Sequence, residues 1–577
     1  MSKIKYSEII AENKRLKKEV KGNVNTVGLI SNITINQLKE VFEYTCRNEG
    51  INVKCSFGNY DNIMQDSSLF KDSKIVIIFW ELANIIDGLQ YKADLMEEDM
   101  LMDLISKVKN ELNFVFESLK TTPQVLINKF SSLIFNFNNL EKNKFDKIAD
   151  ELNSYLTENK PANFKIIETD KIIAQLSVER STDLRYFYSS KALYSIDFYK
   201  SWSSFVLPIV RSLNGKMKKA LIFDCDNTLW KGVLGEEGFD NIILSSNQSG
   251  GAPYEEVQSI AKKLMKDGII LGICSKNNPE DVHEVLTKHT KMTLSDDDFT
   301  IKKVNWTDKP SNIESIAKTL NIGKDSLVFV DDSNFEINFV KGALPDVKTI
   351  QVPEKISEYP KVIRQNLGLF YNVSTTSEDI KRISMYKEQI KREEASVGFK
   401  NLESYIKSLS IKLQIHIDDS SIIPRMSQMT QKTNQFNLTT KRYSEADIKS
   451  FVDSEIYSVI SVGVMDKFGD NGITALAIIK KNDKTAKIDT FLMSCRIIGR
   501  NIEYSFFDYL INFLKQNGVK EVSAKYHRTL KNDQVSDFYD SLGFSLVNKI
   551  NENKHYVIKV NNYKPHLINY ININDGE

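Results

Sequence analysis

Three short apolar runs in the middle of the chain each stop on an acidic or hydroxyl residue. ALIF (220–223) is followed by Asp224-Cys225-Asp226-Asn227-Thr228, IILGIC (269–274) by Ser275, and SLVFV (326–330) by Asp331 and Asp332. Short apolar runs bounded by polar residues read as buried strands, and stretches with helical spacing lie between them at 253–268, 279–290 and 311–321. This alternation predicts a doubly wound α/β sheet, which places ligands outside the carboxyl ends of its strands. Lys309, in NWTDKPSNI just ahead of the third helix, joins the same edge.

These residues fit phosphoryl transfer. Asp224 can attack phosphorus and carry the phosphoryl group. Asp226 can protonate the leaving group and later take a proton from the incoming nucleophile. A magnesium ion would draw oxygen ligands from Asp224, Asp331, Asp332 and the Asp226 main chain. Without a cation the clustered carboxylates would repel each other and the phosphate. Ser275 and Lys309 would hold the phosphoryl oxygens, and Thr228 completes the first motif. The bland alternative is a cluster of surface acids with a chance lysine.

The order DxDxT, Ser, Lys, DD resembles the motif set of the haloacid dehalogenase superfamily. Thr228 and Ser275 are 47 residues apart, and Ser275 and Lys309 are 34 apart. Neither gap holds a large cap domain, so an open site suited to a bulky substrate is expected. Longer strings narrow the likeness. FDCDNTLWKGVLGEEG (223–238), ICSKNNPEDV (273–282) and FVDDSNFE (329–336) look like the FkbH-like branch of that superfamily. QMTQKTNQFNLTTKRYS (428–444), DKFGDNG (466–472) and MSCRIIGRNIE (493–503) resemble its C-terminal part. The likeness spans roughly residues 25 to 560.

The resemblance implies a multidomain α/β chain. An SGNH-like α/β domain would occupy 1–215, a capless haloacid-dehalogenase-type Rossmann-like domain 216–385, and a GNAT-like α+β acyltransferase domain 386–577. It also implies an activity. The enzyme would take a glyceryl group from a phosphorylated three-carbon donor such as 1,3-bisphosphoglycerate, remove phosphate, and load the acyl group as a thioester on a phosphopantetheinylated acyl carrier protein for polyketide assembly. The alternative is a Mg2+-dependent phosphatase of a sugar or small-molecule phosphate. A third reading, a scaffold with a fossil site, is disfavoured by the intact motif set.

The outer zones carry partial patterns. Strands are expected at 27–31, 52–57 and 74–80, with a helix over 35–50 and a charged helical lead-in before residue 25. Ser31 stands where an SGNH hydrolase has its nucleophile, but the late segment has Asp183 and then Tyr186 in place of histidine. No histidine precedes residue 283. A non-catalytic first domain is expected, with Arg185, Tyr186 and Lys191 either touching a carrier protein or lying on a solvated helix. In the last zone a helix is expected over 401–413, strands at 457–466, 472–481 and 486–494, and a helix over 499–518. There CRIIGRNIE resembles an acyltransferase phosphate loop, with Arg496 and Gly499 matching and Arg500 and Asn501 departing from it. With Tyr539 of NDQVSDFYDSLGF these make Arg496, Gly499, Arg500 and Tyr539 the expected phosphopantetheine contacts, at a helix start able to bind phosphate. Cys495, at the same helix start, is the preferred thiol if the acyl group passes through the enzyme. A buried bystander is the alternative for it.

Composition sets the remaining limits. Lys and Arg number 77 against 76 Asp and Glu, a net charge of +1 that argues against a broad nucleic-acid or membrane-binding face. The longest strictly apolar run, 75–80, is far below the roughly 20 residues of a membrane-spanning helix. The first 20 residues lack the apolar core of a secretory signal. Five scattered cysteines without CxxC, and six histidines without ligand spacing, suggest a reducing cytoplasm and no zinc.

Overall fold

The computed structural model describes residues 4–373, 377–396, 399, 401–529 and 531–575. The chain divides into two compact units, Met1–Arg211 and Ser212–Glu577. In the first, the strands β1 (Asn25–Ser31), β2 (Val53–Tyr60), β3 (Ile75–Phe79), β4 (Gln124–Asn128) and β5 (Phe164–Ile167) pair in parallel in the order β2-β1-β3-β4-β5. Every residue of β3 is buried, because a parallel sheet is covered on both faces, and that is why it reads as an unbroken apolar run. The chain leaves β1 for β2 at the edge and returns past β1 to β3. The strand order therefore reverses at the carboxyl ends of β1 and β3, where Ser31 closes β1. The charged lead-in forms the helix Tyr6–Glu19, anchored by Asn13, whose Oδ1 accepts from Arg47 at 2.5 Å.

The second unit holds two sheets. The first consists of β6 (Ala220–Phe223), β7 (Ile270–Ser275), β8 (Ile301–Val304), β9 (Leu327–Asp331) and β10 (Lys348–Gln351), all parallel in the order β10-β9-β6-β7-β8. The helices Ala252–Lys266, Pro279–Lys288 and Lys309–Thr319 connect these strands, close to the expected spans.

The second sheet is mixed. It comprises β11 (Ile411–Ile417), β12 (Phe436–Asn437), β13 (Tyr457–Asp466), β14 (Gly469–Asn482), β15 (Thr485–Met493), β16 (Glu521–Tyr526), β17 (Ser545–Ile550), β18 (Asn553–Lys559) and β19 (Ile571–Asn574). The order is β17-β18-β16-β15-β14-β13-β11-β19, with β12 against β15. The helix Ile502–Gln516 buries Phe506, Phe507, Leu510 and Leu514 in the core of this sheet, and Phe491 of β15 stacks on Phe506 with ring centroids 5.3 Å apart. The helix Ile423–Lys432 packs Met426 and Met429 into a separate cluster with Leu476, Ile478 and Leu492. β15 and β16 pair in parallel only as far as Ile488 and Ala524. Beyond that point Leu438 bridges them, donating its N–H to Phe491 O at 3.1 Å and accepting from the His527 N–H at 2.7 Å.

One expectation fails here. The helix predicted over 401–413 ends at Ser408, and β11 begins at Ile411. The run IKLQIHI alternates apolar and polar residues, and its buried positions Ile411, Leu413 and Ile415 face the core against β13. Alternation with period two overrides a helical reading once a partner strand is present. Among the described residues, no helix is long and apolar enough to cross a membrane.

Candidate active site

β6 lies between β7 and β9, and the chain crosses from one side of it to the other. The crevice of such a sheet sits at the carboxyl ends of the strands where this reversal occurs. Asp224, the residue after β6, donates its N–H to Val330 O at 2.9 Å, which sets it beside Asp331 at the end of β9. The chain then turns back sharply. The N–H groups of Thr228 and Leu229 both donate to Cys225 O, at 3.1 and 2.8 Å. Asn227 takes a φ of 52°, a left-handed conformation that asparagine tolerates, and its Oδ1 accepts from the Gly232 N–H at 3.0 Å.

One carboxylate oxygen from each of Asp224, Asp331 and Asp332 lies within 4.8 Å of the other two. Asp224 is 7% exposed and Asp331 fully buried. Burial first, and then the charge of Asp224, pushes the Asp331 carboxyl up to about 7, against the pull of Lys309. Burial and Asp224 raise Asp332 in the same way. Lys309, the first residue of its helix and 4% exposed, sits 3.2 Å from Asp224 Oδ1 and donates to Asp331 Oδ2. Burial by itself would lower the Lys309 ammonium, but the two carboxylates outweigh it and hold it above its ordinary value. One cation against three clustered carboxylates leaves excess negative charge. Hard oxygen donors at this spacing fit Mg2+.

Asp226 stands apart from that trio. Its Oδ1 accepts from Trp230 Nε1 at 3.0 Å and from the Leu234 N–H at 3.1 Å, and its Oδ2 accepts from Asn277 Nδ2 at 2.9 Å. Its carboxylate is not among the clustered oxygens of Asp224, Asp331 and Asp332. Burial raises the Asp226 carboxyl in spite of these three hydrogen bonds, a setting that favours a group holding a proton for transfer. Ser275 closes β7 and is 2% exposed. The Thr228 hydroxyl is buried and makes no hydrogen bond. Trp230 and Asn277 are positioning residues that sequence reasoning missed. Asn277 lies only two residues beyond Ser275, but nothing local to SKNN shows that its amide turns back to Asp226.

The site is uncovered by any inserted domain. Between β6 and the helix Ala252–Lys266 the chain forms a short flap carrying the helix Leu234–Glu237. Between β7 and Lys309 it forms one helix, a short 3-10 turn and β8.

The other predicted residues are not gathered here. Cys495 opens a single 3-10 turn, and its carbonyl accepts a hydrogen bond from Asn321. Asn321 lies just beyond the helix Lys309–Thr319, whose 11 residues span roughly 16 Å at 1.5 Å each. Cys495 is therefore at the opposite end of the sheet from Asp224, and a three-carbon group held at the carboxylates does not reach its thiol. That corrects the expectation of a cysteine serving this site directly. Arg500, 7% exposed, donates to Asp466 at 3.1 Å, to Gln389 at 2.7 Å and to Arg496 O at 2.6 Å. Tyr539, 1% exposed, packs among Phe507, Phe544 and Tyr556. The Arg500 guanidinium is thus committed to protein partners and Tyr539 is buried in the aromatic core, so neither presents an exposed group where phosphopantetheine contacts were expected. Gly499 has a φ of 81°, and Asn501 a φ of 62° ahead of the helix Ile502–Gln516. Arg496, 6% exposed, lines a cavity beside Cys495.

In the first unit, Ser31 is turned onto its own loop. Its hydroxyl donates to Ile33 O at 2.5 Å and accepts from the Ile33 N–H at 2.9 Å. Asp183 is paired with Arg185 at 2.6 Å, and Tyr186 is 59% exposed. No histidine exists in this unit to activate Ser31.

No protein-family model matches the chain, and no curated protein is similar to it. Among solved structures, the N-terminal part of the protein BF1531 from Bacteroides fragilis is 26% identical, with a TM-score of 0.55, and covers 64% of this chain and all of that one. That structure contains a phosphatase domain and is complexed with Mg. The ribosomal-protein-S18-alanine N-acetyltransferase of Escherichia coli is 15% identical and covers 26% of this chain and 94% of that one, with a TM-score of 0.21. Mutant forms of the spermidine/spermine N-acetyltransferase SpeG from Vibrio cholerae give 11%, 26%, 94% and 0.21 in the same order. Scores that low leave the C-terminal sheet to be described by its own topology. Over 64% of its length, this chain is thus similar to a protein that contains a phosphatase domain.

Proposed function

We propose that the chain is a Mg2+-dependent phosphoryl-transfer enzyme of the haloacid dehalogenase superfamily. The observation that carries this reading is the trio Asp224, Asp331 and Asp332, gathered within 4.8 Å around Lys309 at the open end of a parallel sheet. The likeness to a solved phosphatase domain with bound Mg supports it. The three carboxylates would hold the ion, which when bound offsets the charge of both the carboxylates and the phosphoryl group.

The residues then divide the work. An Asp224 oxygen attacks phosphorus, and the bond from phosphorus to the leaving oxygen breaks. Asp226 gives its proton to that oxygen. A water oxygen next attacks the phosphoryl group on Asp224, Asp226 takes the water's proton, and inorganic phosphate departs. Lys309 and Ser275 hold the phosphoryl oxygens, while Trp230 and Asn277 keep Asp226 in place.

The finer reading is an FkbH-like enzyme. It would accept a phosphorylated three-carbon acyl donor such as 1,3-bisphosphoglycerate, remove phosphate, and pass the glyceryl group to the phosphopantetheine thiol of an acyl carrier protein in the cytoplasm. What supports it is the set of strings over 223–238, 273–282, 329–336, 428–444, 466–472 and 493–503, together with a site open enough for a carrier-borne group. The first unit, with its β2-β1-β3-β4-β5 order and Ser31 at the reversal, fits an SGNH-like domain without its base. The mixed sheet with the helix Ile502–Gln516 packed on it is compatible with a GNAT-like domain. The second reading is a phosphatase of a small phosphate ester, favoured by the remoteness of Cys495 from Asp224. Incubation with Mg2+, 1,3-bisphosphoglycerate and phosphopantetheinylated carrier protein separates the two. Glyceryl mass on the carrier supports loading, and phosphate release without it leaves the phosphatase.

A further inference from the structure

On one face of the C-terminal sheet Ile488, Val522, Ala524 and Ile558 are buried in the core under the helix Ile502–Gln516. Residues alternating with these turn to the other face, and there Lys487 of β15 and Lys525 of β16 are only half-buried. Lys480 of β14 is exposed and stands directly across from Lys487. Like charges in a cross-strand pair are destabilising, so this pairing does not serve the fold. Lys441, on the loop after β12, reaches Asp489 of β15 and brings a fourth lysine to the group. Neighbouring strands lie about 4.8 Å apart, so β14, β15 and β16 set these charges over roughly 10 Å, about one Debye length in ordinary buffer.

Of the acids on this face, Asp489 is committed. It accepts from Lys441, from Tyr443 Oη and from Thr490 Oγ1. Glu521, which opens β16, stands across from Lys559 of β18. Lys480 lies over the Tyr457 ring, 5.7 Å from its centroid. Among the described residues, Lys487 and Lys525 have neither a hydrogen bond nor an ion pair from their side chains. Their neighbours register the excess charge. Burial first, and then Lys441, Lys525 and Lys480, lowers the Lys487 ammonium in spite of Asp489. Burial, and then Lys525 and Lys441, lowers His527 in the same way.

We propose that this face is a docking surface for an acidic protein segment, whose carboxylates meet Lys480, Lys487 and Lys525. The cations are spread along three strands rather than gathered at one point, which suits several separate carboxylates better than one small anion. They are lysines, point charges without the arginine fork that grips phosphate. Carboxylates one turn apart on a helix are about 5–6 Å apart at Cβ, close to the strand spacing here. Such a partner also offsets the repulsion between Lys480 and Lys487. The surface is independent of the reaction proposed at Asp224.

Binding is read as the fluorescence anisotropy of a labelled glutamate oligomer titrated with full-length protein at low ionic strength. Wild type should bind it, and added sodium chloride should weaken binding. K487E/K525E should weaken it roughly tenfold, since each reversal removes an attraction and adds a repulsion. K266E/K341E makes the same change in net charge on two exposed lysines of other helices and should leave affinity within about twofold. K487Q/K525Q should weaken binding less than the reversals. Without oligomer it should melt no lower than wild type, because the cross-strand repulsion is gone, so unfolding is not the cause. The proposal is overturned if wild type does not bind the oligomer, if K487E/K525E binds it as wild type does, or if K266E/K341E loses as much. Tighter binding of a DNA oligonucleotide of the same charge overturns it too, since the surface then serves nucleic acid.

Discussion

Replacing Asp224 with asparagine should stabilise the metal-free protein while removing its chemistry. At an effective dielectric of about 20, two unit charges 4.8 Å apart repel by about 3.5 kcal/mol, and Asp224 meets two carboxylates at that distance or closer. The attraction it loses is to Lys309 at 3.2 Å, worth about 5 kcal/mol on the same scale. The difference leaves the variant about 2 kcal/mol more stable without metal, or roughly 2–3 °C for a unit of this size. The effect depends on pH. The Asp331 carboxyl is raised to about 7 in the folded protein from an ordinary 3.8, so its contribution is fully present below about pH 4 and is lost as pH rises through about 7. Wild type in EDTA should therefore lose stability between pH 5 and about 8, and D224N, with one like charge gone, should lose less. Mg2+ binding needs ionised ligands, so the Mg2+-induced rise in melting temperature should grow over the same window in wild type and shrink in D224N. Differential scanning fluorimetry in EDTA and in Mg2+ across that range reads all three. A melting temperature for D224N in EDTA at pH 8 below that of wild type would refute the electrostatic reasoning. Phosphate release by the variant should fall at least about a thousandfold, since the nucleophile is gone.

Other perturbations separate the remaining roles. D226N should slow phosphate release by roughly 10²- to 10⁴-fold yet keep the Mg2+-induced thermal shift, because the Asp226 carboxylate is outside the clustered trio. N277A removes a hydrogen bond that favours the ionised form of Asp226, so the Asp226-dependent limb of the kcat profile should move to higher pH with KM little changed. D466N leaves Arg392 and Arg500 buried without their carboxylate and should cost about 3–5 kcal/mol, seen as a lower urea midpoint.

Much of the middle sheet was legible because its signals are local. An apolar run of four to six residues that stops on aspartate or serine places that residue at a strand end, whatever the rest of the chain does. Asp224, Ser275 and Asp331 each carry such a signal, and they stand at the carboxyl edge of one sheet with Lys309, which opens a helix there. The helix Ile502–Gln516 was legible for the same reason, its apolar residues recurring at helical spacing. By contrast, the helix expected over 401–413 overruns into the strand at 411–413, since a short apolar stretch takes its conformation from a partner strand that lies about 50 residues away.

The sequence by itself determined the kinds of chemistry available and the strand ends that carry them. Only the tertiary structure decided which groups meet. Strand order brought Lys309 against Asp224, 85 residues earlier in the chain, and Asn277 onto Asp226. Packing within the C-terminal sheet and its helices buried Arg500 on Asp466 and Tyr539 among aromatic rings. The hydrogen bond from Asn321 to its carbonyl set Cys495 one helix length from the carboxylates. Such pairings depend on which faces close against each other, and the free energy of that closure is shared among contacts distant in sequence.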